Sequence, residues 1–259
     1  MKVVILCGGQ GTRLKEETEF RPKPMVEVGG RPLLWHIMKG YSHYGFREFV
    51  LCLGYKGQMI KEYFLHYAAM NNDVTLRLGD HDKLQIHGTA KEEDWVVTLA
   101  DTGEEALTGT RVKRIERYIQ DDVFMLTYGD GLADVDIKAL LDFHKAHGKI
   151  GTVTGVPPSS RFGELVVKGE RVANFQEKPK FMSGLISGGF FVFNREFFKY
   201  LDAKKDRPLE SAPLARLAQD GELMVYKHTG FWQCVDTYRE LKMLNDLWKS
   251  GNPPWREWK

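Results

Sequence analysis

The sequence predicts an α/β protein with a mixed, mostly parallel sheet that is flanked by helices and carries hairpin insertions. Two continuous apolar runs, residues 3–7 and 49–53, have the composition of fully buried strands. Between and after these runs, apolar residues recur at helical spacing, so the order is strand, helix, strand, helix from the first residues onward. This alternation is typical of parallel strands covered by helices.

The remaining elements follow the same alternation in chain order. The predicted later strands are 74–78, 84–86, 95–100, 123–127, 152–156, 165–167, 172–175, 185–193, 223–227 and 231–235. Helices are predicted after the turns at 29–32 and 54–57, after the loop 101–110, from the cap at Asp136 to residue 147, at 195–201 and 213–219, and after Thr237. The pairs 74–78 with 84–86 and 165–167 with 172–175 are interpreted as hairpins. We expect a single domain over residues 1–259.

Composition excludes several classes of function. A formal net charge of +2 gives no basic field of the kind that nucleic-acid-binding proteins show. No segment approaches the roughly 20 apolar residues of a membrane span, and a core strand at the amino terminus leads us to expect no signal peptide. The three cysteines, Cys7, Cys52 and Cys234, are too few for a disulfide framework and favour a reducing compartment. We therefore expect a cytoplasmic protein without nucleic-acid or membrane partners.

The first strand ends in a turn with three glycines, Gly8, Gly9 and Gly11. Such a turn lets the backbone approach a bulky group and direct N–H groups toward it. A hydroxyl and two cations follow, from Thr12, Arg13 and Lys23. This combination suits a polyphosphate, although neither the third glycine of a dinucleotide fingerprint nor the lysine of a P-loop is present. An ordinary turn between a strand and a helix is the alternative.

Two aspartates follow predicted strands. Asp130 lies between Gly129 and Gly131 after the strand 123–127, and Asp236 follows the strand 231–235. Ligands of open α/β sheets bind beyond the carboxyl ends of the strands, so both side chains are expected in the crevice above the glycine turn. Two carboxylates facing phosphates suit Mg²⁺. Each aspartate is otherwise explained as a turn former or a helix cap.

Three further positions are candidates for ligand contacts. Lys178 precedes a proline, which favours an extended backbone and an exposed ammonium that suits a second anion; a solvated lysine is the alternative. The Gly188-Gly189 pair interrupts an apolar strand, which indicates a bulge or a close backbone approach to a ligand. Arg111, at a predicted helix start, serves a base, a phosphate or only the surface charge. The eight histidines show no metal-ligand spacing, and we expect them to be structural or exposed.

Taken together, these stretches resemble the signature of the sugar-phosphate nucleotidyltransferases. The resemblance rests on residues 8–14, Pro22-Lys23-Pro24-Met25, Tyr128-Gly129-Asp130-Gly131 and Glu177-Lys178-Pro179. Further stretches are similar to the glucose-1-phosphate cytidylyltransferase branch of that family, at residues 35–38, 54–57, 142–148, 188–192 and 230–233. The resemblance covers nearly the whole chain.

The resemblance implies a Rossmann-like nucleotidyltransferase core and a Mg²⁺-dependent reaction. A glucose 1-phosphate oxygen would attack the α-phosphorus of CTP, giving CDP-glucose for deoxysugar or polysaccharide biosynthesis and releasing pyrophosphate. The implied nucleotide-binding residues are Leu6, Gly8, Gly9, Gly11, Thr12, Arg13, Lys23, Arg111 and Gly129, with Arg13 and Lys23 catalytic. The implied sugar-phosphate residues are Gly163, Glu177, Lys178 and Gly189, and the implied metal ligands are Asp130 and Asp236. Residues 1–150 would then mainly bind nucleotide, and residues 151–259 mainly sugar phosphate.

Several positions depart from the family pattern. Cys7, Arg21 and Val235 replace residues that are common there, and Ser187 stands where asparagine usually precedes the two glycines. The shorter Ser187 side chain would alter a sugar hydroxyl contact, so this departure bears on the identity of the sugar and not on the reaction. The alternative is a nucleotidyltransferase that uses another pyrimidine nucleotide or another sugar 1-phosphate. A non-catalytic sensor would have lost Arg13, Lys23 or an aspartate. An exposed aromatic tail at 253–258, the first hairpin and the family's habit of assembling predict a homo-oligomer.

Overall fold

The computed structural model describes residues 1–78, 84–88, 93–158, 164–168, 170–176, 184–202 and 204–258. In chain order its strands are β1 (Lys2–Leu6), β2 (Glu27–Val28), β3 (Arg31–Pro32), β4 (Glu48–Leu53), β5 (Asp73–Leu76), β6 (Leu84–His87), β7 (Val96–Asp101), β8 (Val123–Tyr128), β9 (Gly131–Ala133), β10 (Gly151–Val156), β11 (Glu164–Lys168), β12 (Arg171–Gln176), β13 (Ile186–Ser187), β14 (Phe191–Asn194), β15 (Leu223–Lys227) and β16 (Trp232–Cys234). The α-helices are α1 (Lys15–Thr18), α2 (Leu33–His43), α3 (Gly57–Leu65), α4 (Tyr67–Met70), α5 (Thr108–Arg114), α6 (Ile137–His147), α7 (Ala212–Gln219) and α8 (Tyr238–Lys249). Short 3-10 turns cover Thr12–Leu14, Lys23–Met25, Glu116–Tyr118 and Arg195–Tyr200.

A mixed sheet of eight strands organises the molecule. β7, β4, β1 and β8 are parallel neighbours, in that order, and β14 continues the sheet antiparallel to β8. β10 pairs antiparallel with β14 and β13 and parallel with β15. The predicted mixed, mostly parallel α/β architecture is confirmed. The order of strands in the sheet reverses at β1. The next strand of the sheet along the chain, β4, lies on one side of β1, and the later strand β8 lies on the other side.

Two hydrophobic cores cover the two faces of this sheet. Val3 and Ile5 of β1 point into a core formed with α2, α6 and α8, whereas Val4 and Leu6 point into a second core formed with α5 and residues 197–217. Alternate side chains of a strand face opposite sides, so a strand buried on both faces requires a continuous apolar run. This explains why β1 contains no polar residue between Val3 and Leu6.

Among the described residues, four strand pairs lie outside the main sheet. Both predicted hairpins are present, as the antiparallel pairs β5–β6 and β11–β12. In the pairs β2–β3 and β9–β16, the segments β2, β3 and β9 are too short for a strand signal in the sequence, whereas β16 lies within the predicted strand 231–235. The β9–β16 pair matters most for the site, because β9 follows Asp130 and β16 precedes Asp236.

The carboxy-terminal tail corrects one prediction. We expected the aromatic residues at 253–258 to be exposed, but Trp255 is only 2% exposed. Its indole packs against His36, Phe231 and Trp248, and thus belongs to the core on the α2 side of the sheet. The tail therefore gives no argument for association between copies. No helix in the described parts of the chain combines the length and the apolar character needed to cross a membrane.

Candidate active site

A cavity of about 310 Å³ opens beyond the carboxyl ends of β1 and β8. This is the point where strand order reverses around β1, the usual ligand position in open α/β sheets. Its walls comprise Leu6, Cys7, Gly8, Gly9, Gly11, Thr12, Arg13, Lys23, Pro24, Ala106, Leu107, Thr108, Arg111, Tyr128, Gly129 and Asp130. All nine residues predicted to bind nucleotide lie in this set, although they come from four separate stretches of the chain.

Arg111 holds the wall of this cavity together. It is 3% exposed, so the possibility of a mere surface charge is wrong. Its guanidinium donates to the backbone oxygens of Leu53 (3.0 Å), Gly103 (2.7 Å), Gly8 (2.9 Å) and Glu104 (3.0 Å) and to the Thr102 hydroxyl (2.9 Å). A Cβ at position 8 would overlap the guanidinium, so a larger residue there would have to displace this buried group. Arg111 thus ties the glycine turn to the end of β4 and to the loop before α5.

Lys23 is placed by the two prolines around it. Pro22 has an extended backbone, and Pro24 lies in the first turn of the short 3-10 segment Lys23–Met25. The Lys23 side chain is therefore directed from a rigid segment rather than from a flexible loop. Its ammonium donates to Asp130 Oδ2 and to Asp236 Oδ1, at 2.7 Å in each case. Only 8% of the residue is exposed.

The two aspartates meet although they are far apart in the chain. β9 and β16 pair directly after Asp130 and before Asp236, and the Val235 N–H donates to the Asp130 backbone oxygen at 2.9 Å. Asp236 directly precedes Thr237, whose side chain caps α8 in a capping box with Glu240. Asp130 lines the cavity of the glycine turn, and Asp236 contacts Arg13 and Lys23 in the wall of that cavity.

The charges of this cluster are mutually stabilising. Burial alone would lower the pKa of Lys23, but the charge and hydrogen bond of Asp130, followed by those of Asp236, outweigh burial and raise that pKa. Burial alone would raise the pKa of Asp236, but Lys23 and Arg13 outweigh it and hold that pKa below its ordinary value. Arg13 contributes from the rim, where its side chain is 75% exposed and its Nη1 lies 2.6 Å from Asp236 Oδ2. These opposed shifts favour the charged forms of both Lys23 and Asp236 at the cavity mouth.

The described residues offer a metal two carboxylates and not a complete cage. Nowhere in the described ranges do three or more His, Cys, Asp or Glu side chains come together as a metal-binding group. The Asp130 and Asp236 oxygens nevertheless converge on a single cation, the Lys23 ammonium. This donor set fits a hard divalent ion that takes its other ligands from phosphate and water.

Gly189 lies on the side of the cavity toward β14. Its φ of +75° lies in the left-handed region, and a Cβ there would approach Tyr128 Cδ2 to 2.9 Å. The Gly188 oxygen accepts a 2.8 Å hydrogen bond from the Trp232 indole of β16. The prediction of a break in the strand at this pair is confirmed. The other predicted sugar-phosphate residues, Gly163, Glu177 and Lys178, lie outside the described residues.

Sequence reasoning missed three polar contacts at the site, two made by Glu210 and one made by Cys234. The Tyr128 hydroxyl donates to Glu210 at 2.5 Å, and the other oxygen of Glu210 accepts from the Thr108 hydroxyl at 2.8 Å. The Cys234 thiol lies 3.7 Å from Asp236 Oδ2, and burial followed by the charges of Asp236 and Asp130 raises the pKa of Cys234 to about 12. Separations of 82 and 102 residues leave no local pattern that could have indicated Glu210.

Comparison with known proteins agrees with this geometry. A sequence model described as nucleotidyl transferase matches residues 2–247. The chain is 51% identical, over the full length of both chains, to a glucose-1-phosphate cytidylyltransferase of Salmonella typhimurium. In fold it is similar to a UDP-glucose pyrophosphorylase complexed with UDP-glucose, with a TM-score of 0.69 and 14% identity over 97% of this chain and 99% of the other. It is also similar to HddC from Yersinia pseudotuberculosis, with a TM-score of 0.67 and 22% identity over 95% and 99%. The chain belongs to the nucleotidyl transferase family.

Proposed function

We propose that the protein transfers CMP from CTP to α-D-glucose 1-phosphate, giving CDP-glucose and pyrophosphate. The observation that carries the proposal is the 51% identity, from end to end, to a protein named glucose-1-phosphate cytidylyltransferase. The cavity supports it, because glycine backbone and the cations Arg13, Lys23 and Arg111 line a space large enough for a nucleotide.

In this proposal the triphosphate lies over the glycine turn. Gly8, Gly9, Gly11 and Thr12 present backbone and hydroxyl groups to the phosphates, and Leu6 and Gly129 form the floor of the cavity. The base faces the loop that Arg111 anchors to Gly8. Backbone groups of residues 101–111 supply the acceptor and donor that cytosine requires.

The reaction is a direct displacement at phosphorus. An oxygen of the sugar phosphate forms the new bond to the α-phosphorus, and the bond from that phosphorus to the bridging oxygen of the β-phosphate breaks. Arg13 and Lys23 stabilise the charge that develops on the α-phosphate and on the leaving pyrophosphate. Positioning of the reactants and stabilisation of charge account for such a step without a covalent enzyme intermediate. We therefore expect inversion of configuration at the α-phosphorus.

Asp130 and Asp236 would hold the metal ion, which we propose to be Mg²⁺. Their carboxylates fit such an ion because their oxygens already converge on one cation. When bound, the ion would neutralise charge on the triphosphate and polarise the reacting phosphoryl group.

The sugar phosphate is proposed to bind beside Gly189, with Glu177, Lys178 and Gly163 as its further contacts. On this view residues 1–150 mainly form the nucleotide side of the site and residues 151–259 the sugar-phosphate side. Asp236 is the exception, because the fold brings it to the nucleotide side. We place the protein in the cytoplasm, in agreement with three free cysteines.

We further propose that the protein forms a homo-oligomer through the hairpin β5–β6. Val74, Leu76, Leu84 and Ile86 of this hairpin are exposed apolar residues, and no core cluster contains them. Burial of such a surface favours association. Sedimentation should give a multiple of the monomer mass that falls for Leu76→Glu, and a monomeric wild type would contradict the proposal.

The test is a pyrophosphate-release assay with the four nucleoside triphosphates and several sugar 1-phosphates. CTP with glucose 1-phosphate should give the highest kcat/KM. A preference for another base or sugar would replace the proposed substrate, and Ser187 is the position we would then change to asparagine. No release with any pair would refute the reaction itself.

Three variants test the roles that we propose for Lys23, Asp130 and Lys178. Lys23→Ala and Asp130→Ala should abolish turnover while the chain stays folded, because both side chains face the cavity. Lys178→Ala should mainly raise the KM for the sugar phosphate. An unchanged sugar KM together with weaker CTP binding would reverse the role of Lys178.

A further inference from the structure

The position of Lys23 has a consequence for metal binding. Three of the four carboxylate oxygens of Asp130 and Asp236 already accept charged hydrogen bonds. Lys23 occupies one oxygen of each aspartate at 2.7 Å, and Arg13 occupies the second oxygen of Asp236 at 2.6 Å. A divalent ion therefore has to compete with resident cations for the same atoms.

The two cations differ in how strongly they hold the carboxylates. Arg13 extends from the rim with 75% of its side chain exposed, so water screens it and can replace it. The Lys23 side chain is 10% exposed, bridges both carboxylates and comes from a rigid segment between two prolines. A desolvated charged hydrogen bond is worth more than an exposed one. Lys23 is thus the main obstacle to a metal ion.

The same lysine has a second set of acceptors within reach when nucleotide is bound. Lys23 lines the cavity together with the glycine turn, where the triphosphate is proposed to lie. Phosphate oxygens there would attract the ammonium away from the carboxylates. We propose that Lys23 closes the Asp130–Asp236 pair to divalent cations in the free protein and opens it when nucleotide phosphates draw the ammonium into the cavity. This inference rests on the proposed function, and it makes metal binding follow nucleotide binding.

Mn²⁺ binding to the protein without nucleotide tests the inference. Free Mn²⁺ is titrated by electron paramagnetic resonance with wild type and with Lys23→Met. The variant should bind Mn²⁺ at least tenfold more tightly, which corresponds to about 1.4 kcal/mol. An affinity equal to or weaker than that of wild type would overturn the inference.

Two control variants show whether a gain in Mn²⁺ affinity comes from the loss of Lys23 itself. Lys15→Met removes an exposed lysine of α1, and its Mn²⁺ affinity should equal that of wild type. Arg13→Met removes the other cation at Asp236, and its gain should be at most about threefold, or roughly 0.7 kcal/mol. A gain from Arg13→Met as large as that from Lys23→Met would indicate a general charge effect and overturn the specific role of Lys23.

Loss of Lys23 leaves two carboxylates facing each other, so folding is monitored as well. Lys23→Gln, which can still donate to one carboxylate, replaces the methionine variant if the latter does not fold. In either variant Mn²⁺ should raise the Tm by more than it does in wild type, and an equal rise would contradict the inference.

Wild-type turnover of CTP and glucose 1-phosphate separates the role of Lys23 in metal binding from the proposed function. Turnover without a gain in Mn²⁺ affinity refutes only the role of Lys23, and a gain without turnover refutes only the proposed substrates.

Discussion

Acidification should destabilise the fold through one buried histidine, His36 of α2. The residue is 1% exposed and is surrounded by the rings of Trp35, Trp248, Trp255 and Trp258. Its Nε2 lies 2.8 Å from the Val28 backbone oxygen, and its Nδ1 lies 3.4 Å from the Trp255 indole nitrogen. A carbonyl oxygen only accepts and an indole N–H only donates, so Nε2 carries the hydrogen and Nδ1 accepts. Protonation of Nδ1 would place two donors against each other.

The size of the expected loss in the free energy of unfolding follows from the pKa of His36. Burial lowers this pKa from 6.5 to about 4; the Val28 hydrogen bond opposes the shift, and the charges of Arg31 and Arg256 add to it. The folded protein therefore resists a proton that the unfolded chain accepts. The stability contributed by neutral His36 is fully present above pH 6.5 and is lost as the pH falls toward about 4. At 1.36 kcal/mol per pH unit, the loss is roughly 3 kcal/mol.

The assay is urea unfolding followed by tryptophan fluorescence, at pH values from 7.5 to 4.5. Other groups also titrate in this range, so the measured quantity is the difference between wild type and His36→Gln. The glutamine amide can donate to Val28 and accept from Trp255, but it does not titrate. Wild type should lose roughly 2–3 kcal/mol more than this variant over the range. His43→Gln, an exposed position on the same helix, should behave as wild type.

The decisive observation is whether the free energies of unfolding of wild type and His36→Gln diverge as the pH falls. If the free energies of unfolding of wild type and His36→Gln fall together with pH, protonation of His36 does not oppose folding. A loss shared by wild type and His43→Gln but not by His36→Gln is the expected pattern, because His36, unlike His43, is buried and bonded through each ring nitrogen.

Three further substitutions test other contacts. Arg111→Met should lower the free energy of unfolding by roughly 3 kcal/mol, because it leaves buried carbonyl oxygens without a donor, and Arg111→Lys should restore only part of this loss. A loss below about 1 kcal/mol in urea unfolding would contradict the anchoring role of Arg111. Gly189→Ala should cost roughly 2 kcal/mol in the same assay, more than Gly148→Ala, which has a similar φ but open space around it. Glu210→Gln weakens the hydrogen bonds that join Tyr128 to Thr108, so calorimetry should show CTP binding about fivefold weaker while the KM for sugar phosphate stays unchanged. An unaltered CTP affinity would show that Glu210 does not contribute to the site.

Local patterns in the sequence were sufficient for most elements of the fold. Strands β1, β4 and β8 follow from continuous apolar runs, which only burial on both faces explains. Asp136 was predicted to cap a helix that extends to residue 147, and its side chain accepts from the Ala139 N–H at the start of α6. The short segments β2, β3 and β9 were not predicted, because two or three residues carry no periodicity.

The candidate site was predictable where chemistry and position coincide in a short motif. The glycine turn, Lys23 and the two aspartates each follow or flank a strand end, and parallel strand ends converge in space. The resemblance to nucleotidyltransferases added Leu6, Gly129 and a contact role for Arg111. What no motif contained was the partner of each side chain, such as the five oxygens that Arg111 binds.

The α/β class, the order of the elements and the residue types at the crevice follow from the sequence alone, because they depend on burial patterns and on spacing within about ten residues. Which charges meet depends instead on how whole elements pack. Lys23 lies 107 residues from Asp130 and 213 from Asp236, yet its ammonium bridges both carboxylates. The aromatic tail was wrongly predicted to be exposed for the same reason, since its burial depends on α2, more than 200 residues earlier. Contacts at such separations arise from the packing of whole elements, and no local property of either segment records them.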